Sequence, residues 1–484
     1  MRARLGVGVT FDVLEREVEI GGRRALLYFV DGFVKDKVTQ DLIRGLQQVE
    51  RAEMAPRPVE SLLARHIGYF EIDTVETVEE AVEQVLSGPA VLLIDGERRA
   101  IVLDVREYPV RSIGEPDLEK VTRGSHEGFV ETIVFNTAMI RRRLRDPNLR
   151  FEVQRVGERS KTDVAVGYIQ DLADPGLVEE VKRRISQAKV AALPMGAKNL
   201  EEIIVKEPWN PIPRVRYTER PDVAAAHLLE GHVVILVDTT PMAMIVPVTA
   251  FHFFEHAEEF FQSPVIGTYL RWIRAIAFFV ATFLTPAWLA LFLSKEILPP
   301  AFEVVGPKEG GYAVPVPLQL FLLEFGSDLI RMALIHTPNA LATSLGIVGA
   351  ILLGELAVEV GLFVPEAIFY TAVASVGYFA VPSIEFGYTL RIYRYLLLLL
   401  VSVLRLPGLL VGILFGLVVL ARTKSVDKPF LWPLFPFHGP SLVKALFRLP
   451  APDVTHLPRV MVQEKQKGGR PPGEKEKGPS GAAH

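Results

Sequence analysis

Two glutamates inside an apolar stretch, Glu355 and Glu359, are the side chains whose placement most directly suggests chemistry. They lie four positions apart within residues 341–363, so an α-helix would carry both on one face. A carboxylate at membrane depth is costly unless it meets water, a cavity or a partner, and such carboxylates commonly mark an ion pathway. A symmetric oligomer would form rings of glutamate, which attract cations and repel anions. The alternative for Glu359, which closely precedes Pro365, is a position at the membrane surface.

A second charged set interrupts the apolar stretch 318–336. Glu324, Asp328 and Arg331 are spaced by four and three positions, which places opposite charges on one face of a helix. This pattern favours internal ion pairing over a role in conduction.

Small residues recur at every fourth position of residues 341–363, a spacing that lets two membrane helices approach closely. They are Ala342, Gly346, Ala350 and Gly354. The stripe predicts a tightly packed helix. Its partner is either another helix of the same chain, which is favoured because glycine is common in membrane helices, or a second subunit.

One motif has the spacing of a zinc-binding helix, namely His252, Glu255 and His256 in the order H-x-x-E-H. It lies among phenylalanines where an interfacial amphipathic helix is expected, and the sequence offers no evident third ligand. We therefore predict no metal and no cofactor. The sequence also contains no phosphate-binding loop, no nucleophile elbow and no cysteine, so an enzyme is not expected.

Long apolar stretches place the charged residues in a membrane. The stretch from Ala275 to Leu293 is uncharged and nearly long enough to cross the hydrocarbon core, so it is the clearest predicted membrane helix. Further apolar stretches cover residues 318–336, 341–363, 367–384 and 395–421. The sequence therefore predicts a polytopic, all-α membrane domain with four to six spans.

Basic residues flank this domain on both sides, which favours a cytoplasmic position for each flank and an even number of spans. They are Arg271 and Arg274 before it, and Arg422, Lys424 and Lys428 after it. A break of 395–421 near Arg405 gives a helical hairpin and six spans. A continuous helix there, with 318–336 at the interface, gives four.

The first half of the chain contains a repeated pattern. Gly88 and Asp95, and likewise Gly231 and Asp238, are seven positions apart and bracket an apolar run, and a second apolar run follows each pair. Each copy predicts a strand, a short turn and another strand, preceded by a helix. We therefore predict two related α/β subdomains in the cytoplasm, because the N-terminus lacks the apolar segment of a signal peptide.

The predicted organisation has five parts. They are an N-terminal α/β segment (1–60), a first α/β subdomain (61–205), a second subdomain with an interfacial helix (206–270), the membrane domain (271–425) and a cytoplasmic tail (426–484). The tail is expected to be disordered from about residue 451, because Lys, Glu, Gly and Pro dominate there.

The formal net charge of −4 is small, and basic residues concentrate only at Arg141, Arg142, Arg143 and Arg145. No nucleic-acid partner is expected from this distribution. The arginine run fits either a site for phosphate or anionic lipid, or a solvated or inter-subunit helix face with ion pairs. The second interpretation is favoured, because charge runs usually have that role.

Several short motifs together resemble the GerA-type A-subunit family of spore germination receptors, over about residues 5–450. One group is Arg123, Gly124, Glu127, Gly128 and Phe129, with Asn136 and Thr137. Another is Arg141, Arg142 and Arg143, with Asp146 and Pro147. The last is Lys161 and Thr162, with Val164 and Ala165, and the run from Tyr217 to Asp222. The sequence departs from this family at Glu355, where receptor A subunits more often carry a neutral polar residue.

The resemblance implies a multi-pass protein of the spore inner membrane with both termini on the cytoplasmic, spore-core side. It also implies a homo-oligomer, a pentamer, that works with a transporter-like B subunit and forms an ion channel. Release of monovalent cations through it would amplify the germination response. The alternative function is a non-conducting scaffold that clusters germinant receptors in the same membrane.

Overall fold

The computed structural model describes residues 1–54, 57–67, 71–107, 116, 119–205, 207, 209–297, 313–336 and 357–450. Two α/β subdomains come first in the chain, and a helical part follows them. The helical stripe of residues 342–354 and Glu355 lie outside the described residues.

The first subdomain is a five-stranded antiparallel sheet in the order β1-β2-β4-β5-β3. Its strands are β1 (Val13–Ile20), β2 (Arg23–Val30), β3 (Ile72–Val75), β4 (Ala90–Ile94) and β5 (Ala100–Leu103). Its helices are α1 (Arg2–Leu5), α2 (Asp36–Gln47), α3 (Pro58–Arg65) and α4 (Val78–Ser87), with a 3₁₀ turn at Arg51–Met54.

The second subdomain repeats this sheet in the order β6-β7-β9-β10-β8. Its strands are β6 (Leu149–Val156), β7 (Thr162–Ile169), β8 (Arg216–Thr218), β9 (Val233–Val237) and β10 (Ala243–Val246). Its helices are α5 (Ile133–Arg143), α6 (Pro175–Ser186), α7 (Ala197–Ile204) and α8 (Pro221–Leu229). The two sheets have the same strand order, so the predicted pair of related subdomains is present.

The repeated glycines explain how each copy passes from helix to strand. Gly88 follows α4 with φ of +121°, and Gly231 follows α8 with φ of +83°. Glycine adopts such angles without the steric cost of a Cβ atom, so it ends the helix and turns the chain into β4 or β9. At its other end, α4 begins with a reciprocal cap between Thr77 and Glu80.

The predicted domain boundaries at residues 60 and 205 do not match the sheets. Strand β2 pairs with β4, so residues 1–60 belong to the first subdomain. Strand β7 pairs with β9, so residues 149–169 belong to the second. The repeated pattern covers only the inner hairpins, because β1 and β6 carry charged residues among their apolar ones and so have a weaker apolar signal.

The helical part starts after a 3₁₀ turn (Ala250–Phe253) and the short helix α9 (Glu258–Phe261). Its helices are α10 (Pro264–Leu293), α11 (Val316–His336), α12 (Ala357–Glu359), α13 (Pro365–Phe379), α14 (Ile384–Leu404) and α15 (Leu406–Arg422). A 3₁₀ turn (Lys295–Ile297) follows α10, and the small hairpin β11–β12 (Lys424–Ser425 and Lys428–Pro429) and α16 (Gly439–Leu446) follow α15. By length and apolar composition, α10 and α14 qualify as membrane spans, and α15 is a shorter apolar helix.

The apolar stretch 395–421 is broken at Arg405, whose φ is +57°, and α14 and α15 fold back on each other as a hairpin. Glycines at every fourth position of α15 allow this approach. A Cβ added at Gly408 would lie 2.2 Å from the Leu400 carbonyl oxygen, and one at Gly412 would lie 2.3 Å from the Leu397 Cδ2 atom. This stripe was not recognised in the sequence, although its spacing is the same as that of residues 342–354.

An added methyl group would meet backbone at Gly408 but a side chain at Gly412, so we predict different losses of stability at the two positions. Gly408→Ala should destabilise the hairpin by about 1–3 kcal/mol, because the added methyl group meets backbone that cannot move aside. Gly412→Ala should destabilise the hairpin less than Gly408→Ala does, because the Leu397 side chain can change its rotamer. Thermal unfolding of the purified full chain in detergent, followed by circular dichroism, measures both. A larger loss for Gly412→Ala would contradict this packing.

Candidate functional site

Four charged side chains from two helices meet inside the helical part. Glu324 and Asp328 come from α11, and Arg391 and Arg394 come from α14. Glu324 forms an ion pair with Arg394, and both are 1% exposed. The Arg391 Nε atom lies 2.6 Å from the Asp328 Oδ1 atom. The two negative and two positive charges cancel, so this ionic cluster is neutral as a unit.

Neighbouring groups complete the ionic cluster. Arg394 donates through Nη1 to the Ala281 carbonyl oxygen of α10 at 2.7 Å. The Tyr395 hydroxyl donates to the Asp328 Oδ2 atom at 2.9 Å. Ionised groups away from water are tolerated only when they are paired and hydrogen-bonded in this way. The ionic cluster therefore fastens α11 to α14 and α10.

Arg331 has a different place from the one its spacing predicted. Asp328 is occupied by Arg391, and the Arg331 guanidinium lies 3.8 Å from the centre of the Tyr378 ring on α13. The predicted ion pairing of Arg331 within its own helix is therefore wrong, because Arg391 of the neighbouring helix α14 forms the ion pair with Asp328. Arg391 and Arg394 were overlooked, although two arginines inside an apolar helix give the same signal as Glu324.

The predicted pathway glutamates and helix-packing residues of the stretch 341–363 are only partly described. Glu359 ends the short helix α12, and its side chain is exposed. Glu355, Ala342, Gly346, Ala350 and Gly354 lie outside the described residues, so their roles stay predictions.

The entry to the helical part is held by a buried carboxylate. Glu259 on α9 is 0% exposed and forms ion pairs with Arg271, at 2.7 Å, and with Arg274, both at the start of α10. Its neighbour Glu258 accepts a hydrogen bond from the Thr122 amide at 2.8 Å. These contacts connect helix α10 to the segment that carries the first family motif.

Gly124 in that motif lies against α9. Its φ is +110°, and a Cβ atom there would lie 2.4 Å from the Phe261 ring, so the position requires glycine on both counts. Arg220, in the motif that begins at Tyr217, donates to the Ser125 carbonyl oxygen at 3.0 Å and lies over the Phe261 ring. Two motifs that are distant in sequence thus meet at the base of the helical part.

The arginine run on α5 has two separate functions. Arg142 and Arg143 form ion pairs with Glu127, at 3.3 and 2.7 Å. Arg141 is 1% exposed and binds Asp12 with two hydrogen bonds, of 2.9 and 3.1 Å. The favoured interpretation of a solvated or inter-subunit face is therefore wrong for Arg141, which joins the two subdomains from within.

The remaining family positions shape turns and strand ends. Asn136 exchanges hydrogen bonds of 2.9 and 2.6 Å with the backbone of Val130. Arg123 is exposed and Gly128 is buried. The Pro147 carbonyl oxygen accepts a hydrogen bond from Arg150. Lys161 has a φ of +46°, and Thr162 begins β7.

The exit from the helical part is also attached to the second subdomain. Ser425 donates to the Arg214 carbonyl oxygen at 2.6 Å. Asp427 forms an ion pair with Arg184 at 2.5 Å, and Lys428 forms one with Asp174 at 2.7 Å. The helical part is thus attached to the second subdomain at its exit as well as at its entry.

A family model described as the Bacillus/Clostridium GerA spore germination protein matches residues 1–460. The chain belongs to the GerA family. Stage V sporulation protein AF of Bacillus subtilis (strain 168) is 41% identical over 458 residues, which cover 95% of this chain and 93% of that protein. Residues 323–338 already suggest this likeness, and the identity confirms it.

Two other GerA-family relatives are each 31% identical. Spore germination protein B1 of B. subtilis matches over 430 residues, covering 88% of this chain and 89% of its own length. Spore germination protein GerLA of Bacillus cereus matches over 452 residues, covering 92% and 91%. The crystal structure of the N-terminal domain of the A subunit of the Bacillus megaterium spore germinant receptor GerK3 aligns with 50% of this chain and 90% of that domain, at 25% identity and a TM-score of 0.40.

In this GerA-family chain, the H-x-x-E-H residues do not share a helix. His252 lies in the 3₁₀ turn that ends at Phe253, and its ring contacts those of two other histidines. The rings of His227, His232 and His252 lie with their centres 5.1 to 5.5 Å apart.

Among the described residues, His227, Glu230 and His252 place possible metal-ligand atoms within 4.8 Å of one another. The Arg216 guanidinium lies 3.4 Å from the His227 Nε2 atom, where its charge opposes a cation. The His252 Nδ1 atom accepts from the Thr249 amide, so its proton is on Nε2. Burial lowers the pKa of His227 and His252 well below the usual value and that of His232 to about 4.

Replacing His232 with asparagine should reduce the sensitivity of the fold to acid. A histidine in the unfolded chain binds a proton below about pH 6.5. Buried His232, with its pKa of about 4, does so only at lower pH. Acidification from pH 7 to pH 5 therefore favours unfolding, and His232 contributes about 2 kcal/mol to the loss of stability.

Denaturant titration of the full chain at both pH values tests this. The decrease in the free energy of unfolding between pH 7 and pH 5 should be smaller by about 2 kcal/mol in the His232→Asn protein than in the wild type. An unchanged loss in the His232→Asn protein would contradict the role of this group.

Proposed function

We infer that this GerA-family protein is the A-subunit-like component of an oligomeric channel that releases monovalent cations and amplifies germination. The observation that carries the inference is the neutral ionic cluster of Glu324, Asp328, Arg391 and Arg394 within an apolar helical part. A chain that only anchored a soluble domain would have no need of buried charges, which are costly in a bilayer.

The ionic cluster itself is not the pathway. Its charges are paired with one another, so it offers a passing cation no net negative potential. It acts as a fixed brace between α11 and α14. We place the pathway along residues 341–363, where Glu355 and Glu359 form rings in a symmetric oligomer. The exposed side chain of Glu359 in the isolated chain supports this, because it leaves the carboxylate open to water or to a neighbouring subunit.

The proposed membrane arrangement is multi-pass, in the spore inner membrane, with both termini on the cytoplasmic side. Helices α10 and α14, which are long enough to span, support it together with the α14–α15 hairpin. Attachment of the second subdomain at both the entry and the exit also supports it, because Glu259 and Ser425 then lie on one side of the bilayer.

The proposed assembly is a pentamer of this chain that works with a transporter-like B subunit. The coupling path runs from the soluble half through Gly124 and Glu259 to α10, so a partner that moves the α/β subdomains would move the membrane helix. This movement of α10 would link the response of a receptor to opening of the channel.

Reconstitution of the full chain in liposomes tests the proposal. The purified oligomer should pass monovalent cations, measured as loss of trapped potassium, and its mass should correspond to several chains. A scaffold predicts a sealed membrane, loss of receptor clustering when residues 1–270 are deleted, and no effect of charge changes in residues 341–363. An intact oligomer without cation flux would reject the channel.

A further inference from the structure

The segment after the last membrane helix exposes a group of large apolar side chains. Phe435 is 66% exposed and Phe437 is 73% exposed, in the turn that precedes α16. Helix α16 itself has no buried residue. The other exposed apolar side chains are Leu434, Val443, Leu446 and Phe447. Six such side chains within residues 434–447 are costly in water, so a partner is expected to cover them.

Continuity with the membrane helix indicates what that partner is. The Trp272 indole nitrogen donates to the Leu446 carbonyl oxygen at 3.0 Å, and the Trp272 and Phe447 rings are 5.4 Å apart. Arg271 donates to the Lys444 carbonyl oxygen at 2.7 Å. Trp272 precedes the uncharged part of α10, at the depth where tryptophan marks the boundary between hydrocarbon and headgroups. Helix α16 is thus fixed at that depth.

A second exposed aromatic residue lies at the same side of the helical part. Trp209 is 97% exposed. The next residue, Asn210, lies 3.4 Å (Nδ2 to Oγ1) from Thr423 at the end of α15, and the Pro211 carbonyl oxygen accepts a hydrogen bond from Thr389 on α14. Trp209 therefore lies beside the membrane ends of two helices, where an exposed indole is stabilised by headgroups rather than by water.

We propose that residues 434–447, together with Trp209, form an interfacial foot that lies in the headgroup region of the bilayer. The predicted cytoplasmic tail would then begin with a membrane-bound segment rather than a solvated one. Helix α16 has the composition of a helix that lies in the plane of the interface, because Val443 and Leu446 are exposed beside the basic Lys444. The proposal rests on the membrane location in the proposed function and not on conduction.

Single cysteines can test the interfacial foot cleanly, because the chain contains no cysteine. Phe435→Cys and Phe437→Cys, labelled with an environment-sensitive fluorophore, report on the foot in the full chain reconstituted in vesicles. Val78→Cys is the control for water, since Val78 is exposed on α4, and Leu414→Cys is the control for lipid, since Leu414 is exposed on α15. The replaced side chains are largely exposed, so the packing stays intact.

The foot labels should be quenched by lipids brominated near the start of the acyl chains, and at least about fivefold less by aqueous iodide than the label at position 78. Iodide quenching equal to that at position 78 would overturn the foot. Shielding from both quenchers would also overturn it, because a second copy of the chain would then cover this face. If iodide also quenched the label at position 414, the membrane location of the helical part would be rejected. Failure of the interfacial foot and failure of the membrane location are therefore distinguishable.

Discussion

Replacing Glu324 with glutamine should destabilise the helical part by about 3–5 kcal/mol, which is a large share of the stability of an ordinary fold. The Arg394 guanidinium is 1% exposed and forms its ion pair with this carboxylate. With glutamine it keeps its charge and one carbonyl acceptor, that of Ala281, but loses the compensating negative charge. Thermal unfolding of the full chain in lipid nanodiscs measures the effect.

Two further variants separate the lost pair from a local packing defect. Removal of both charges, in a Glu324→Gln and Arg394→Gln double variant, should restore most of the stability, because no uncompensated charge remains buried. Glu366→Gln, in the first turn of α13, changes a carboxylate of the same part that is more exposed, and should have little effect. A Glu324→Gln protein as stable as the wild type would show that the ionic cluster does not brace the helices.

Replacing Asp12 with asparagine should have a similar effect on the cytoplasmic half, again about 3–5 kcal/mol. Asp12 is 0% exposed and is the carboxylate partner of Arg141, whose other acceptors are the Asp146 and Leu149 carbonyl oxygens. The variant leaves a buried guanidinium between the two subdomains without a counter-charge. Denaturant titration of the full chain, followed by circular dichroism, would report the loss.

An exposed ion pair in the same half provides the control. Asp163 lies 3.1 Å from Arg155, and both side chains are open to solvent, so Asp163→Asn should cost less than about 1 kcal/mol. Asp12→Asn combined with Arg141→Met should recover part of the loss. Equal effects of Asp12→Asn and Asp163→Asn would mean that burial of the Arg141 pair contributes nothing to the contact between subdomains.

Local patterns in the sequence predicted the repeated core of the soluble half well. Gly88 and Gly231 mark the same turn in both copies, and the apolar runs after them are the inner strands β4 and β9. The outer strands were assigned to the wrong units. Their pairing joins residues about 65 positions apart, such as Leu27 with Leu92, and short-range periodicity carries no information about such pairing.

Charged residues show even more clearly that local sequence patterns do not reveal long-range contacts. Arg141, Arg142 and Arg143 are alike in sequence, yet one is fully buried and the other two form ion pairs near the surface. Glu324 was predicted to be an intramembrane charge from its apolar surroundings, but its partner on α14 lies 70 positions away. Spacing suggests partners only within one helix, and even there Asp328 pairs with Arg391 of α14 and not with Arg331.

The reversal potential of the purified full-length oligomer in a planar bilayer, under a potassium chloride gradient, tests the channel most directly. We expect a reversal potential near the equilibrium potential of potassium, and a shift toward zero when Glu355→Gln removes a ring of carboxylates. No conductance from an intact oligomer, or an unchanged potential in the Glu355→Gln protein, would contradict it.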